Sequence, residues 1–293
     1  MQQFSIENEQ LKVAINLKGG ELASIVSKQN SKEYMWQANP KFWGRHSCIL
    51  FPIIGKLYEN RYQLEGETYE LGQHGFVRDR IFDVVANEGN AITFRYESTE
   101  EDKKLYPYAF AINMIYSLQA TTLSVKYEVE NREKRPISFS IGGHPAFNCP
   151  LNADEKRSGY TLIFEKEESA ESHLLNENGL FDGKTKKIFD GSDRLPINEN
   201  LFDEDALIFK NLKSTYVSLE NQSQEKILTF HFEGFPYLGI WSKNRASTFV
   251  CIEPWFGIAD KVGGQEDFHE KEGNQSLGAG KVFDCEHKIT IHQ

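Results

Sequence analysis

The sequence predicts an all-β fold, a large antiparallel sandwich with little helix, and three observations carry that prediction. Apolar and polar residues alternate with a period of two over long stretches, as in Leu123, Val125, Tyr127 and Val129 against Ser124, Lys126, Glu128 and Glu130. Clusters of Gly, Asn and Asp punctuate these stretches at hairpin spacing. No segment carries the helical periodicity of an amphipathic helix three turns long. Roughly fifteen or more short strands cannot remain one open, flat sheet, so two large facing sheets are expected.

Leu11 to Asn16 and Glu21 to Ser27 read as a hairpin turning at Lys18-Gly19-Gly20, with Glu33 to Gln37 as a short third strand. Asn39-Pro40 then breaks the pattern. From Phe42 to Phe76 the texture changes, with aromatics, glycines and basic residues crowded together. Only Tyr62 to Leu64 and Thr68 to Leu71 pair there, across Glu65-Gly66-Glu67. The rest is loop of the kind on which function sits. Ile81 to Ala86 and Ile92 to Glu97 form the next hairpin, across Glu88-Gly89-Asn90. A helical turn is expected at Thr99 to Leu105, capped by Thr99 with Asp102 answering. Phe110, Ile112, Met114, Tyr116 and Leu118 share one face of the strand that precedes the Leu123 to Val129 strand.

Leu151 to Asp205 is the most polar stretch, but Tyr160, Leu162 and Phe164 alternate inside it. It therefore reads as an excursion from one domain spanning residues 1–293. Alternation resumes at Ala206 to Phe209, Val217 to Leu219 and Ile227 to Phe232, with a turn at Asn221 to Gln224. Val282 to Ile291 supplies a final strand pair at most. The absence of a fixed short repeat disfavours a propeller or solenoid.

Composition narrows the function classes. A net charge of −10 over 293 residues argues against a nucleic-acid surface, which needs clustered Lys and Arg. No apolar run reaches membrane-spanning length, and the mean hydropathy is −0.53. MQQFSIENEQLKV has neither a basic segment nor an apolar core, so no signal peptide and a cytoplasmic location are expected. Cys48, Cys149, Cys251 and Cys285 lie too far apart for a zinc knuckle or a disulfide framework and are expected as buried free thiols. No motif for a metal or a nucleotide cofactor is present.

The chemistry centres on Ser138 to Asn148, SFSIGGHPAFN. It starts as a strand, is expected to break at Gly142-Gly143, and sets His144 before Pro145, which forces His144 into extended or turn backbone. His74 follows a strand and precedes Gly75-Phe76. His231, His287 and His292 are expected to face solvent, and His46, His173 and His269 lie in polar loops without evident partners. Glu253 follows the apolar run Phe249 to Ile252 and precedes Pro254-Trp255. It is either a buried carboxylate with a raised pKa, suited to a general base, or a residue facing water at a strand end. Trp43, Trp241 and Trp255 are either core or a floor for stacking a sugar ring.

The ordered set Asn60-Arg61, His74-Gly75-Phe76, His144-Pro145-Ala146-Phe147-Asn148, Asp205 and Glu253-Pro254-Trp255 resembles the aldose 1-epimerase (galactose mutarotase) family, and within it the LacX-like branch. The resemblance implies a large β-sandwich and a cofactor-free cleft that interconverts the α and β anomers of a hexose, acting as a monomer or homodimer. It implies His144 as the acid at the ring oxygen, Glu253 as the base at the C1 hydroxyl and His74 as a ring-oxygen partner. Asp205, Arg61 and Asn60 would bind the substrate. The pattern departs at Ala146, where the family often has tyrosine, and at Ala279-Gly280-Lys281, where it often has Pro-Gly-Glu.

Four alternatives follow different chemistry. Arg78 in HGFVR resembles a run of a branch acting on hexose 6-phosphates, where it would meet a phosphate; otherwise it pairs with Asp79 or Asp83. A non-catalytic carbohydrate-binding protein would need the aromatics but no acid–base pair. A cupin-like metal enzyme would show a close His-x-His pair, and a glycoside hydrolase two opposed carboxylates; neither is found.

Overall fold

A computed structural model describes residues 2–264 and 267–293. Two antiparallel sheets dominate. The larger has nine strands, in the spatial order Ser192–Pro196, Thr161–Glu168, Tyr216–Glu220, Lys226–His231, Val282–Ile291, Thr122–Asn131, Phe110–Gln119, Ala91–Glu97 and Asp83–Asn87. The smaller has five, in the order Leu207–Lys210, Tyr237–Trp241, Phe249–Phe256, Ile141–Asn148 and Ser47–Leu50. A three-stranded sheet, Gln3–Glu7, Leu11–Asn16 and Glu21–Ser27, packs beside them. The two sheets face one another as a sandwich, and the helical segments described are all single 3₁₀ turns. Among the described residues, no helix is long and apolar enough to cross a membrane.

The sequence period explains the large sheet directly. Thr122–Asn131 alternates half-buried and buried residues along its whole length, and its register with Phe110–Gln119 is unbroken over ten pairs. Alternate side chains leave a pleated strand on opposite faces, so one face meets the second sheet and the other meets water. The strands of the five-stranded sheet differ: Ile141–Asn148 and Phe249–Phe256 are buried almost throughout. Phe147 meets Phe230 of the large sheet edge-on at 6.0 Å, while Trp36, Phe42 and Trp43 cover the outer face around Ala146, Phe249 and Cys251. One core runs continuously from Ile6 to Ile291.

Several expectations change. Glu33 to Gln37 forms two isolated bridges, Val26 with Glu33 and Met35 with Phe147, because the Glu33 carboxylate takes the Ile25 and Met35 amides that a ladder would use. The third strand of that sheet is instead Gln3–Glu7. Val282–Ile291 is one long strand inside the large sheet, paired on both sides. Its inward phase is Cys285, His287, Ile289 and Ile291, so His287 is 1% exposed and does not face solvent. His292 and His231 are half-buried, bonded to Thr229 and Thr290 respectively. His46 and His269 also have partners, Glu21 at 3.6 Å and Ser138 at 2.7 Å. The turn at Asp102–Lys104 forms as expected: Thr99 Oγ1 accepts from the Asp102 amide and Asp102 accepts from the Thr99 amide.

Candidate active site

The strand expected to break at Gly142-Gly143 runs through both glycines; the break falls at Ser140, between Ile137–Phe139 and Ile141–Asn148. Gly142 pairs with Trp255 and Ala146 with Cys251, while the three positions between them are unpaired. Proline has no N–H to give a ladder, and Pro145 and Pro254 both lie in this gap. Counting inward from the flanking pairs sets His144 opposite Glu253, mid-strand rather than at strand ends. Opposed residues on one face are close neighbours, and His144 Nε2 lies 3.3 Å from Glu253 Oε2.

The two glycines make room for protein. A Cβ on Gly142 would lie 2.6 Å from the Pro254 carbonyl oxygen and 2.7 Å from the Trp255 ring. One on Gly143 would meet the Tyr127 hydroxyl at 2.7 Å and His287 at 3.3 Å. They seat the His144 strand against its neighbour and the opposite sheet.

His74 arrives from the loop after the Glu67–Glu70 strand, with φ at +65°. The next residue must be glycine, because at φ +68° a Cβ on Gly75 would lie 2.1 Å from the Phe51 carbonyl oxygen. The Gly55 amide donates to His74 Nδ1 at 3.1 Å, so the neutral ring carries its proton on Nε2. The His74 and His144 rings meet edge to face at 5.7 Å. Trp43 stacks on His144 at 4.5 Å and Trp241 meets it edge-on at 5.7 Å.

Burial sets the electrostatics. It raises the Glu253 carboxyl well above the usual range, with the Asp205 charge adding to the effect. It pushes the His144 imidazole down to about 3, helped by the Arg78 charge. It also holds His74 well below its ordinary value, with His144 and Arg78 contributing. The dyad is thus favoured as a net-neutral unit with one proton to share. Glu253 Oε2 and His144 Nδ1 are buried without hydrogen-bond partners.

These groups open onto a cleft of about 550 Å³ that takes in His74, Arg78, His144, Asp205 and Glu253 with the three tryptophans. The polar Leu151 to Asp205 stretch forms one wall through Leu175, Glu177 and Phe202. Asp205 is distinguished from its neighbours: Asp203 is held by Arg245 and Glu204 by Lys186, whereas Asp205 bonds the Ala206 amide at 2.9 Å and faces the cleft. Arg78 pairs with neither Asp79 nor Asp83. Lys18 and Arg45 hold Asp79, and Arg78 donates to the Gln73 carbonyl at 2.6 Å, its Nε buried and unpartnered.

Asn60 and Arg61 are not brought to the cleft. In the hairpin strand Arg61–Leu64, Tyr62 and Leu64 point inward, so Arg61 points out and pairs with Glu59. Lys56, Gln73 and Lys243 line the cleft and were not singled out from the sequence, where nothing local marks them. A second cavity of about 450 Å³ holds the buried Lys271–Asp260 pair and is also lined by His173 and Glu272.

Comparison with known proteins decides the family. The aldose 1-epimerase family model matches residues 2–265. The chain belongs to the aldose 1-epimerase family. Protein LacX (chromosomal) of Lactococcus lactis is 34% identical over 267 residues, covering 88% of this chain and 89% of that protein. A galactose mutarotase related enzyme from Lactobacillus acidophilus is 33% identical and superposes with a TM-score of 0.94, covering 100% of this chain and 98% of that one. A galactose mutarotase-like protein from Lactobacillus casei is 33% identical, with a TM-score of 0.93 over 99% and 100% of the two chains. Family and fold point to an isomerase acting on a small carbohydrate.

Proposed function

We propose that this epimerase-family protein interconverts the α and β anomers of a hexose without a cofactor. The observation that carries the reading is the buried His144–Glu253 contact of 3.3 Å at the floor of a cleft walled by tryptophan. Glu253, as carboxylate, takes the proton from the C1 hydroxyl while His144, as imidazolium, gives one to the ring oxygen. The bond between C1 and the ring oxygen breaks, leaving an open-chain aldehyde. Rotation about C1–C2 and the reverse transfers close the other anomer. Imidazolium with carboxylate is a proton tautomer of imidazole with carboxylic acid, so the net-neutral dyad already holds the required protons.

His74, with its proton on Nε2, donates to the ring oxygen and polarises it. Asp205 accepts from sugar hydroxyls, and the face of Trp43 stabilises His144 when it is charged. Four buried free cysteines fit a reducing cytoplasm.

Arg78 favours a second reading, a hexose 6-phosphate substrate. Its unpartnered Nε and the neighbouring Lys56 and Lys243 provide cationic character at the same cleft. Magnetisation exchange between anomers, followed by NMR on galactose, glucose and their 6-phosphates, tests both. Acceleration of the free sugars supports the first reading and acceleration of the phosphates alone supports the second. Acceleration of none, with binding retained, would leave a sugar-binding protein.

A further inference from the structure

We infer that His144, Glu253 and Cys251 together form a binding site for a thiophilic divalent cation such as Zn²⁺, and that cation and sugar exclude one another there. The exclusion rests on the epimerase reading; the site itself rests on geometry. Cys251 lies two residues before Glu253 on the same strand, so both side chains leave the same face. It pairs with Ala146, two residues beyond His144. One ligand atom from each of the three residues lies within 4.8 Å of the other two, and all three residues are buried. Tetrahedral zinc with bonds of about 2.0–2.3 Å sets its donors about 3.3–3.8 Å apart. Side-chain rotation moving an atom by about an ångström closes that difference.

Independently, Glu253 Oε2 is buried with no hydrogen-bond partner and the residue is 2% exposed. A cation would satisfy that oxygen. Charge also balances: the metal displaces one proton from the Cys251 thiol and one from the dyad. It leaves thiolate, carboxylate and neutral imidazole around a double positive charge, so the net charge of the buried site is unchanged. A sulfur, nitrogen and oxygen donor set suits Zn²⁺, Co²⁺ or Cd²⁺ and not Mg²⁺ or Ca²⁺. Two of the three residues, His144 and Glu253, also line the cleft. A bound cation takes the His144 lone pair and the Glu253 oxygen that the proton transfers use.

Titration of the full chain with Co²⁺ in chelator-treated buffer tests the site. One ion per chain should bind with a thiolate-to-cobalt charge-transfer band, and Zn²⁺ should displace it. The band should vanish in Cys251→Ser, or in Cys251→Ala should the serine variant not fold. It should persist in Cys285→Ser, whose thiol lies on the opposite sheet. Glu253→Gln should weaken Co²⁺ binding at least tenfold. No band at tenfold excess of Co²⁺, or a band that survives loss of Cys251, overturns the site. Anomer exchange is read separately on the metal-free chain: slow exchange there by a protein that binds Co²⁺ removes the epimerase reading alone, and rapid exchange by one that gives no band removes the cation site alone. If Zn²⁺ saturates the site while exchange continues unslowed, the exclusion is overturned.

Discussion

Two strand pairs in this molecule are built on opposite rules. Thr122–Asn131 and Phe110–Gln119 alternate cleanly and share an unbroken register of ten pairs. Ile141–Asn148 and Phe249–Phe256 are buried almost throughout, and their register skips three positions at its centre. The first pair satisfies its backbone and contributes packing. The second gives up ladder hydrogen bonds at Pro145 and Pro254, and there two titratable side chains meet in a low-dielectric setting. The difference shows how one sandwich separates stability from chemistry: the regular sheet supplies rigidity, and the interrupted seam holds groups that would otherwise be expensive to bury.

The largest expected effect breaks the seam chemically while leaving its shape. Glu253→Gln should slow anomer exchange about 10²–10⁴-fold, the usual contribution of a positioned acid–base group. The urea midpoint should hold or rise, because Gln removes a buried ionisable group. A midpoint that falls in step with the rate would mean that Glu253 acts through folding. The converse substitution belongs to the regular sheet. Phe94→Ala, at a fully buried ring packed edge-on to Phe4 and Tyr116, should cost about 3–5 kcal/mol of stability with exchange per folded molecule unchanged.

His287 joins the two regions. It belongs to the regular sheet, stacks on Phe230 at 5.1 Å, lies 5.6 Å from Tyr127, and reaches the backbone of Gly143 directly behind the dyad. Neither ring nitrogen has a partner, and burial alone pushes its pKa down to about 3. No charged side chain contributes to that shift. The unfolded chain protonates this imidazole below about pH 6.5, whereas the folded chain resists until about 3. Its contribution to stability is therefore complete above the unfolded value and is lost as pH falls between the two, by about 1.4 kcal/mol per pH unit. His287→Leu should flatten that acid slope in denaturation curves taken across the window. An unchanged slope would assign acid sensitivity to other groups.

How much of this was legible depends on the range of the signal. The large sheet could be read because alternation is local, and His144 and Glu253 stood out because each precedes proline in an apolar run. Their opposition could not be read, since register between strands more than a hundred residues apart is a long-range property. The prolines looked like strand ends because they stop hydrogen bonding, yet the extended backbone passes through them. His287 was misplaced although its phase with Cys285, Ile289 and Ile291 was available in the sequence. Lys56, Gln73 and Lys243 carry no local mark; only the folded loops bring them to the cleft.

The smallest expected effect sharpens the comparison at its margin. Motif resemblance pointed to Arg61 as a substrate ligand, but strand phase turns it outward: Tyr62 stacks on Tyr69 at 5.4 Å on the inner face, and Arg61 pairs with Glu59 in solvent. An exposed ion pair of this kind is worth about 0–1 kcal/mol. Arg61→Ala should therefore leave stability within about 0.5 kcal/mol and leave KM for the sugar unchanged. Arg78→Ala, at the cleft, should raise KM, and more for a 6-phosphate than for a free hexose if the phosphate reading holds. Measuring exchange rates against substrate concentration for both variants separates phase from motif. A KM that rises only in Arg61→Ala would show that the hairpin swings over the cleft when sugar binds, and phase in the free protein would then be a poor guide to contact.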